Sequence, residues 1–214
     1  MAAVLLLDGP GAQRQLTLCA ATAGFLWFFV RYLRVDSRQV LTAIAVATLG
    51  EVVLSLGWGL YSYRHALIPL YVPPGHGLFY TLAAVSAEQE WFRRRKIVIT
   101  RGVLMAGTMI AILSLVAFRD TWGFLWWLGA LALIARSRNQ LMLSTCFIYT
   151  ILLEWAGTAN GNWLWAAEVP FVGLHSANPP AGVGILYILL DLIAVWLTSI
   201  GATRATAAEA AAAP

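Results

Sequence analysis

EVVLSLGWGLYSYRHALIPLYVPPGHGLFY, Glu51 to Tyr80, and EWAGTANGNWLWAAEVPFVGLHSANPPAGVGILY, Glu154 to Tyr187, carry the same landmarks in the same order. Each opens on a glutamate and passes through glycines into Gly-x-aromatic-x-aromatic: Gly59, Tyr61 and Tyr63 in the first, Gly161, Trp163 and Trp165 in the second. A proline follows (Pro69, Pro170), then a Pro-Pro pair (Pro73-Pro74, Pro179-Pro180), then a glycine and a tyrosine (Gly77 and Tyr80, Gly184 and Tyr187). Apolar sequence flanks both stretches. The reading is therefore a parallel internal repeat, with units at about 40–87 and 140–201, in which both halves enter a membrane in the same sense.

A hydrocarbon core of about 30 Å needs roughly 20 mainly apolar residues per helix. Seven stretches approach this: Gln15–Leu33, Val40–Tyr63, Ala66–Ala87, Arg101–Phe118, Trp122–Ala135, Gln140–Gly157 and Ala181–Gly201. The fifth is the shortest, and its loss would invert everything after it. The expected fold is all-α, a polytopic integral membrane helix bundle of about seven transmembrane helices. Residues 1–201 form a single transmembrane domain, with the glutamates ending spans two and six and the tyrosines opening spans three and seven. The alanine-rich tail, 202–214, has no means of burying a core and is expected to be disordered.

Composition agrees. The chain has 214 residues, 60% hydrophobic and 11% charged, with a mean hydropathy of +0.75. A soluble domain carries about 25% charged residues, so a water-soluble globule is excluded. The net charge of +4 comes from short basic blocks between apolar runs, which gives no continuous surface for nucleic acid. Cys19 and Cys146 sit inside apolar runs as small hydrophobes. Eleven of the 14 Lys and Arg residues fall on one side of the seven-span arrangement, including the Arg93–Lys96 block. Basic short loops stay in the cytoplasm. The expected location is the cell membrane, multi-pass, with the N-terminus outside and the C-terminus cytoplasmic. The N-terminus lacks the basic start of a cleaved signal peptide.

Three acids lie within apolar spans: Glu51, Glu154 and Asp191. A charge at the bilayer centre costs about 2.5–3.5 kcal/mol even on the lenient insertion scale, so such acids face the bundle interior and find partners. They serve either as interhelical hydrogen-bond acceptors or as proton donors and acceptors. His76, inside PPGHG at the head of span three, is placed to relay protons to Glu51. Irregular backbone at membrane depth is tolerated where it is buried or lines a cavity. The two repeat segments are therefore expected to form a paired cap over a cavity opening outward, unless their aromatics belong to the interfacial belt. Trp58, Tyr61, Tyr80, Trp163, Trp165, Asn178 and Tyr187 are the candidate substrate-binding side chains. The three histidines, His65, His76 and His175, have no HxxH, HExxH or HxxxH spacing, so no metal ligand set is assigned. No nucleotide-binding loop, hydrolase triad, haem pair or potassium filter is present, and no cofactor is expected.

The series Glu154-x2-Gly157-x3-Gly161-x-Trp163-x-Trp165, followed by Val169-Pro170, resembles the signature of carotenoid-biosynthesis membrane proteins of the carotenoid 1,2-hydratase type. A looser echo runs from Glu51 to Pro69. The YVPPGHGL segment, Tyr71–Leu78, is similar to one in actinobacterial membrane proteins. The first resemblance implies chemistry on long isoprenoid chains, by protonation of a carbon–carbon double bond. The expected function is thus a membrane enzyme acting on a lipid or isoprenoid, with Glu51 and Glu154 as general acid and base. Asp191 would stabilise developing positive charge, and the aromatic faces would contact a cation. The expected partners are membrane lipids and an apolar small-molecule or lipid substrate, and a homo-oligomer is compatible with the sequence. A proton-coupled transporter and a scaffold subunit are the alternatives. A reporter enzyme fused after Pro214 should be active only in its cytoplasmic form. Activity of a periplasmic or extracellular reporter there would reverse the assigned orientation.

Overall fold

A computed structural model describes residues 1–200 in full. Beyond them the backbone alone is described, continuing as helix to Ala212 where the sequence suggested a disordered tail at 202–214, and residues 213–214 lie outside the described residues. The chain is overwhelmingly helical: α1 (Ala2–Leu7), α2 (Ala12–Leu33), α3 (Ser37–Glu51), α4 (Val72–Glu88), α5 (Glu90–Arg94), α6 (Lys96–Phe118), α7 (Thr121–Arg136), α8 (Gln140–Ala159) and α9 (Ile185–Ala212). Among the described residues, each of the seven longer helices overlaps one of the seven apolar stretches of the sequence. Among the described residues, four helical stretches are long and apolar enough to cross a membrane: Ala12–Leu33, Ser37–Gly57, Lys96–Phe118 and Gln140–Ala159. Thr121–Arg136 and Ile185–Ile200 are apolar but shorter.

Three boundaries differ from the sequence expectation. The stretch Val40–Tyr63 is not one helix, because α3 widens after Glu51 into a π-helical segment, Val52–Gly57, and then leaves the helix. The helix expected from Ala66 begins only at Val72, where Pro73 and Pro74 occupy the first turn and their missing N–H groups cost no intrahelical bond. The last helix begins at Ile185 rather than Ala181, after the Pro-Pro turn. The all-α expectation also needs amending, because Tyr61–Tyr63 (β1) and Trp163–Trp165 (β2) are strands. They pair antiparallel, with Tyr61 opposite Trp165, Ser62 opposite Leu164 and Tyr63 opposite Trp163.

Helices α3, α4, α8 and α9 surround the core. Helix α4 packs on α3 and α8, and α9 packs on the same two from the other side. Helix α2 lies against α4, and α6 and α7 lie against the α8–α9 side. Small residues let large ones close in. A Cβ on Gly77 would collide with Ile44 and Leu26, and one on Gly184 with Phe147. The outer surface is apolar: Phe25, Trp27, Phe28 and Tyr32 on α2, and Met105, Val116 and Phe118 on α6, are all more than half exposed. A soluble monomer rarely shows so large an apolar patch.

One acid that the sequence did not single out organises the lower edge of the cap. Asp120, fully buried, is the N-cap of α7. Its carboxylate accepts from Gly123 N at 2.9 Å, Ala177 N at 3.0 Å, Ala181 N at 2.8 Å and Ser114 Oγ at 2.9 Å. It thereby ties the loop after β2 to α7. Replacing Asp120 with Ala leaves four donors without their acceptor, and hydrogen bonds to charged groups contribute about 1.5–3 kcal/mol each. Asp120→Ala should therefore lower stability by at least about 3 kcal/mol, read as a fall in Tm in detergent. A melting curve matching the wild type would contradict this.

Candidate active site

Each of the two glutamates stands fourteen residues after the first residue of its helix, Ser37 for Glu51 and Gln140 for Glu154. At 1.5 Å per residue both lie about 21 Å along their helices. Each helix then ends, and the chain turns through a glycine with positive φ, Gly59 at 77° and Gly161 at 65°. Other residues rarely adopt this conformation. Two residues later begins the strand. Strand side chains alternate between faces, so Tyr61, Tyr63, Trp163 and Trp165 are buried while Ser62 and Leu164 face away. The four aromatics hang beneath the strand pair. Tyr61 and Trp165 lie with ring centroids 4.6 Å apart, and Tyr63 and Trp163 at 6.0 Å.

Each strand supplies donors to the glutamate of its own segment. Glu51 Oε2 accepts from Tyr61 Oη at 2.8 Å and from Tyr63 Oη at 2.7 Å. Glu154 Oε2 accepts from Trp163 Nε1 at 2.8 Å and from Trp165 Nε1 at 2.9 Å. A buried carboxylate without such partners is strongly unfavourable. The two phenols lie in the strand, outside the spanning helices. Burial and the adjacent Glu51 carboxylate push both well above the usual tyrosine range, which keeps them protonated and donating.

The other oxygens distinguish the two acids. Glu51 Oε1 lies 3.0 Å from His76 Nε2, and His76 Nδ1 lies 2.7 Å from Tyr187 Oη. A carboxylate only accepts, so Nε2 carries a proton; in the neutral ring, Nδ1 then accepts from the Tyr187 hydroxyl. The result is a chain from Tyr187 through His76 to Glu51. Glu154 has no such neighbour. Among the described residues no cation pairs with it, and no donor reaches its Oε1.

Glu51, Glu154, His76, Tyr61, Tyr63, Trp163, Trp165 and Tyr187 all line one cavity of about 200 Å³. Of the eleven candidate residues, these include three of the four acids and bases and four of the seven binding side chains. The others stand behind its wall. Asp191, buried, accepts from Tyr80 Oη at 3.0 Å, a bond joining α9 to α4 away from the cavity. Trp58 donates from Nε1 to Pro170 O at 2.9 Å, and Asn178 Oδ1 accepts from Trp165 N at 3.1 Å. Both hold the cap in place. Of the remaining histidines, His65 and His175 do not line the cavity.

At the loop end the sequence suggested an outward opening, and there the cavity is lined by buried side chains. Each of the four strand aromatics is less than 9% exposed, and α1 closes that end with Leu5, which is 2% exposed. Helix α1 is held by Asn162, whose Nδ2 donates to Leu5 O at 2.9 Å and to Asp8 Oδ2 at 3.1 Å. Sequence reasoning did not foresee α1 as a wall or Tyr63 as a ligand of Glu51. Tyr63 was legible in principle, since Gly-x-aromatic-x-aromatic is a period-two pattern that turns both aromatics to one face. No protein-family model, curated protein or solved structure matches the chain.

Proposed function

We propose that the protein is an integral membrane enzyme of seven spans that performs acid–base chemistry on an unsaturated lipid or isoprenoid. The observation that carries this reading is the convergence of Glu154, the Glu51–His76 pair and four aromatic rings on one apolar cavity. Intramembrane ionisable residues that face an interior cavity are functional candidates by default. The parallel duplication belongs to the same reading. A local two-fold axis through the Ser62–Leu164 pair exchanges Tyr61 with Trp163 and Tyr63 with Trp165, as the antiparallel register requires.

Two acids in different surroundings take different roles. Glu154, with one oxygen free and no cation beside it, is assigned the proton to give. The π electrons of a substrate double bond take that proton to form a C–H bond, leaving Glu154 as a carboxylate and a cation on the neighbouring carbon. The indole and phenol faces of Trp163, Trp165 and Tyr61 stabilise the cation through their negative π surfaces. The Glu51–His76 pair then takes up a proton, either from an adjoining carbon or from a water that adds to the cation. Tyr187 fixes the imidazole orientation for that transfer. Asp191 is not assigned a part in stabilising the cation, because it bonds Tyr80 outside the cavity.

General acid–base catalysis contributes about 10²–10⁴-fold. Glu154→Gln and Glu51→Gln should therefore each reduce turnover by about two orders of magnitude or more. Cells expressing wild type or either variant are compared by mass spectrometry of their lipid extracts. A lipid present with wild type should be lost, or replaced by its precursor, in both variants. Identical lipid profiles in all three strains, with the proteins present in equal amount, would remove the enzyme reading.

A further inference from the structure

The cavity has two unlike ends. Towards the strand pair it is polar and closed. Away from it, the lining passes to Val46, Ala47 and Gly50 of α3 and to Leu189, Leu190 and Ile193 of α9. Val46 lies five residues before Glu51, about 7.5 Å along α3, and Ile193 lies six residues after Tyr187, about 9 Å along α9. Both helices lead from the cap toward the middle of the bundle, and they pack against one another along this line.

Burial changes sharply between the ends. Leu5, Tyr71 and Trp165 at the cap are 2%, 0% and 4% exposed, whereas Leu189 and Ile193 are 39% and 40% exposed. Leu189 and Ile193 therefore both wall the cavity and form part of the molecule's apolar outer surface, while Leu190 beside them is buried. A Cβ added at Gly50 would meet nothing within 4 Å. There is therefore open space beside Gly50 on the α3 side of the seam.

The volume sets what enters. About 200 Å³ is several times the ~30 Å³ that one water takes in the liquid. It is below the roughly 300 Å³ at which pockets for a whole drug-sized ligand begin. Such a space matches the end of a chain better than a headgroup with its glycerol and acyl chains.

We propose that the α3–α9 seam is a lateral portal, through which the terminus of a long apolar chain reaches Glu154 while the rest of that chain stays in the bilayer. This deepens the enzyme reading by naming the substrate as a chain end, and it rests on that reading for the chemistry; the route itself does not. Gly50 and Ile193 are the residues whose size sets the portal width. A substrate arriving from water has no comparable opening, since the cap and α1 cover the polar end.

The test follows the route without requiring turnover. In a Cys19→Ser/Cys146→Ala background, Thr150→Cys places a thiol on the cavity wall. Thr150 lines the cavity and is 2% exposed. The protein in lipid nanodiscs is treated with dodecyl methanethiosulfonate, which partitions into the bilayer, or with the charged, water-soluble sulfonatoethyl methanethiosulfonate. In each reaction the thiolate attacks the reagent's thioalkyl sulfur, a disulfide forms and methanesulfinate leaves. The dodecyl reagent should label the introduced thiol and the charged one should not. Gly50→Trp and, from the facing helix, Ile193→Trp should each slow dodecyl labelling by about tenfold or more, because exchange rates follow access to the sulfur. Leu49→Trp, at an exposed position of α3, should leave it unchanged. Preferential labelling by the charged reagent, or dodecyl labelling unaffected by both portal variants, overturns the proposal. If the portal variants block labelling while Glu154→Gln leaves lipid extracts unchanged, the route stands and the enzyme reading fails.

Discussion

A carboxylate placed inside an apolar helix bundle must be given hydrogen-bond donors, and here the chain supplies them from the segment that follows each acid. Helix α3 ends at Glu51 and runs on as the π-helical Val52–Gly57, α8 ends beyond Glu154, and after Gly59 and Gly161 the chain returns as strands whose inward side chains donate to the acid just passed. Neither strand has a stable existence alone, since three residues make too few backbone bonds. Paired with each other, they satisfy one another's backbone and fix four aromatic rings over one space. The requirement to solvate two acids and the requirement to pair two strand edges have a common solution, and that solution creates the cavity.

The cap is in turn held from below and from the side. Asp120 fixes Ala177 and Ala181, which flank Asn178, and Asn178 accepts from the backbone of Trp165. Arg64 donates from Nε to Gly161 O at 2.8 Å and from its guanidinium to Asn160 O, closing the end of α8 beside the strand. Trp58 reaches across to Pro170. These contacts join the two segments to each other and to α7. The aromatic donors are therefore held in position by the protein's own contacts, and on the proposed function that is the preorganisation that electrostatic catalysis requires. At the seam between α3 and α9, the cavity-lining side chains Leu189 and Ile193 reach the surface.

Much of this was legible in the residues. Apolar runs of helical length marked the seven longer helices, and the ordered landmarks from Glu51 to Tyr80 and from Glu154 to Tyr187 marked the two segments that meet. Acids in apolar surroundings pointed to Glu51 and Glu154, and PPGHG pointed to His76 as the neighbour of Glu51. The strands were missed because three residues lie below any propensity window, and Tyr-Ser-Tyr or Trp-Leu-Trp reads equally as an interfacial belt. Asp191 was placed with the site as a third acid within an apolar span, and Tyr80 as the counterpart of Tyr187 in the ordered landmarks. Which acid on a face reaches a cavity depends on its partner helix, and sequence spacing does not contain that. Asp120 sits between Arg119 and Thr121 at a loop, where its sequence context is that of any N-cap; only the approach of residues 177–181 makes it a hub. The closure of the polar end by α1 depends on contacts between Asn162 and residues about 155 positions away, which no local pattern encodes.

The central claim, that the two glutamate-headed segments meet as a strand pair over one chamber, is tested most directly by cross-linking the outward-facing pair Ser62 and Leu164. Directly opposed residues of an antiparallel pair have Cα atoms about 4.5–5.5 Å apart, within the range a disulfide spans. In the Cys19→Ser/Cys146→Ala background, Ser62→Cys with Leu164→Cys should form an intramolecular disulfide rapidly under mild oxidation, leaving the buried aromatics untouched. Two thiols that stay free under oxidation, while each still reacts with a soluble thiol reagent, would contradict the account.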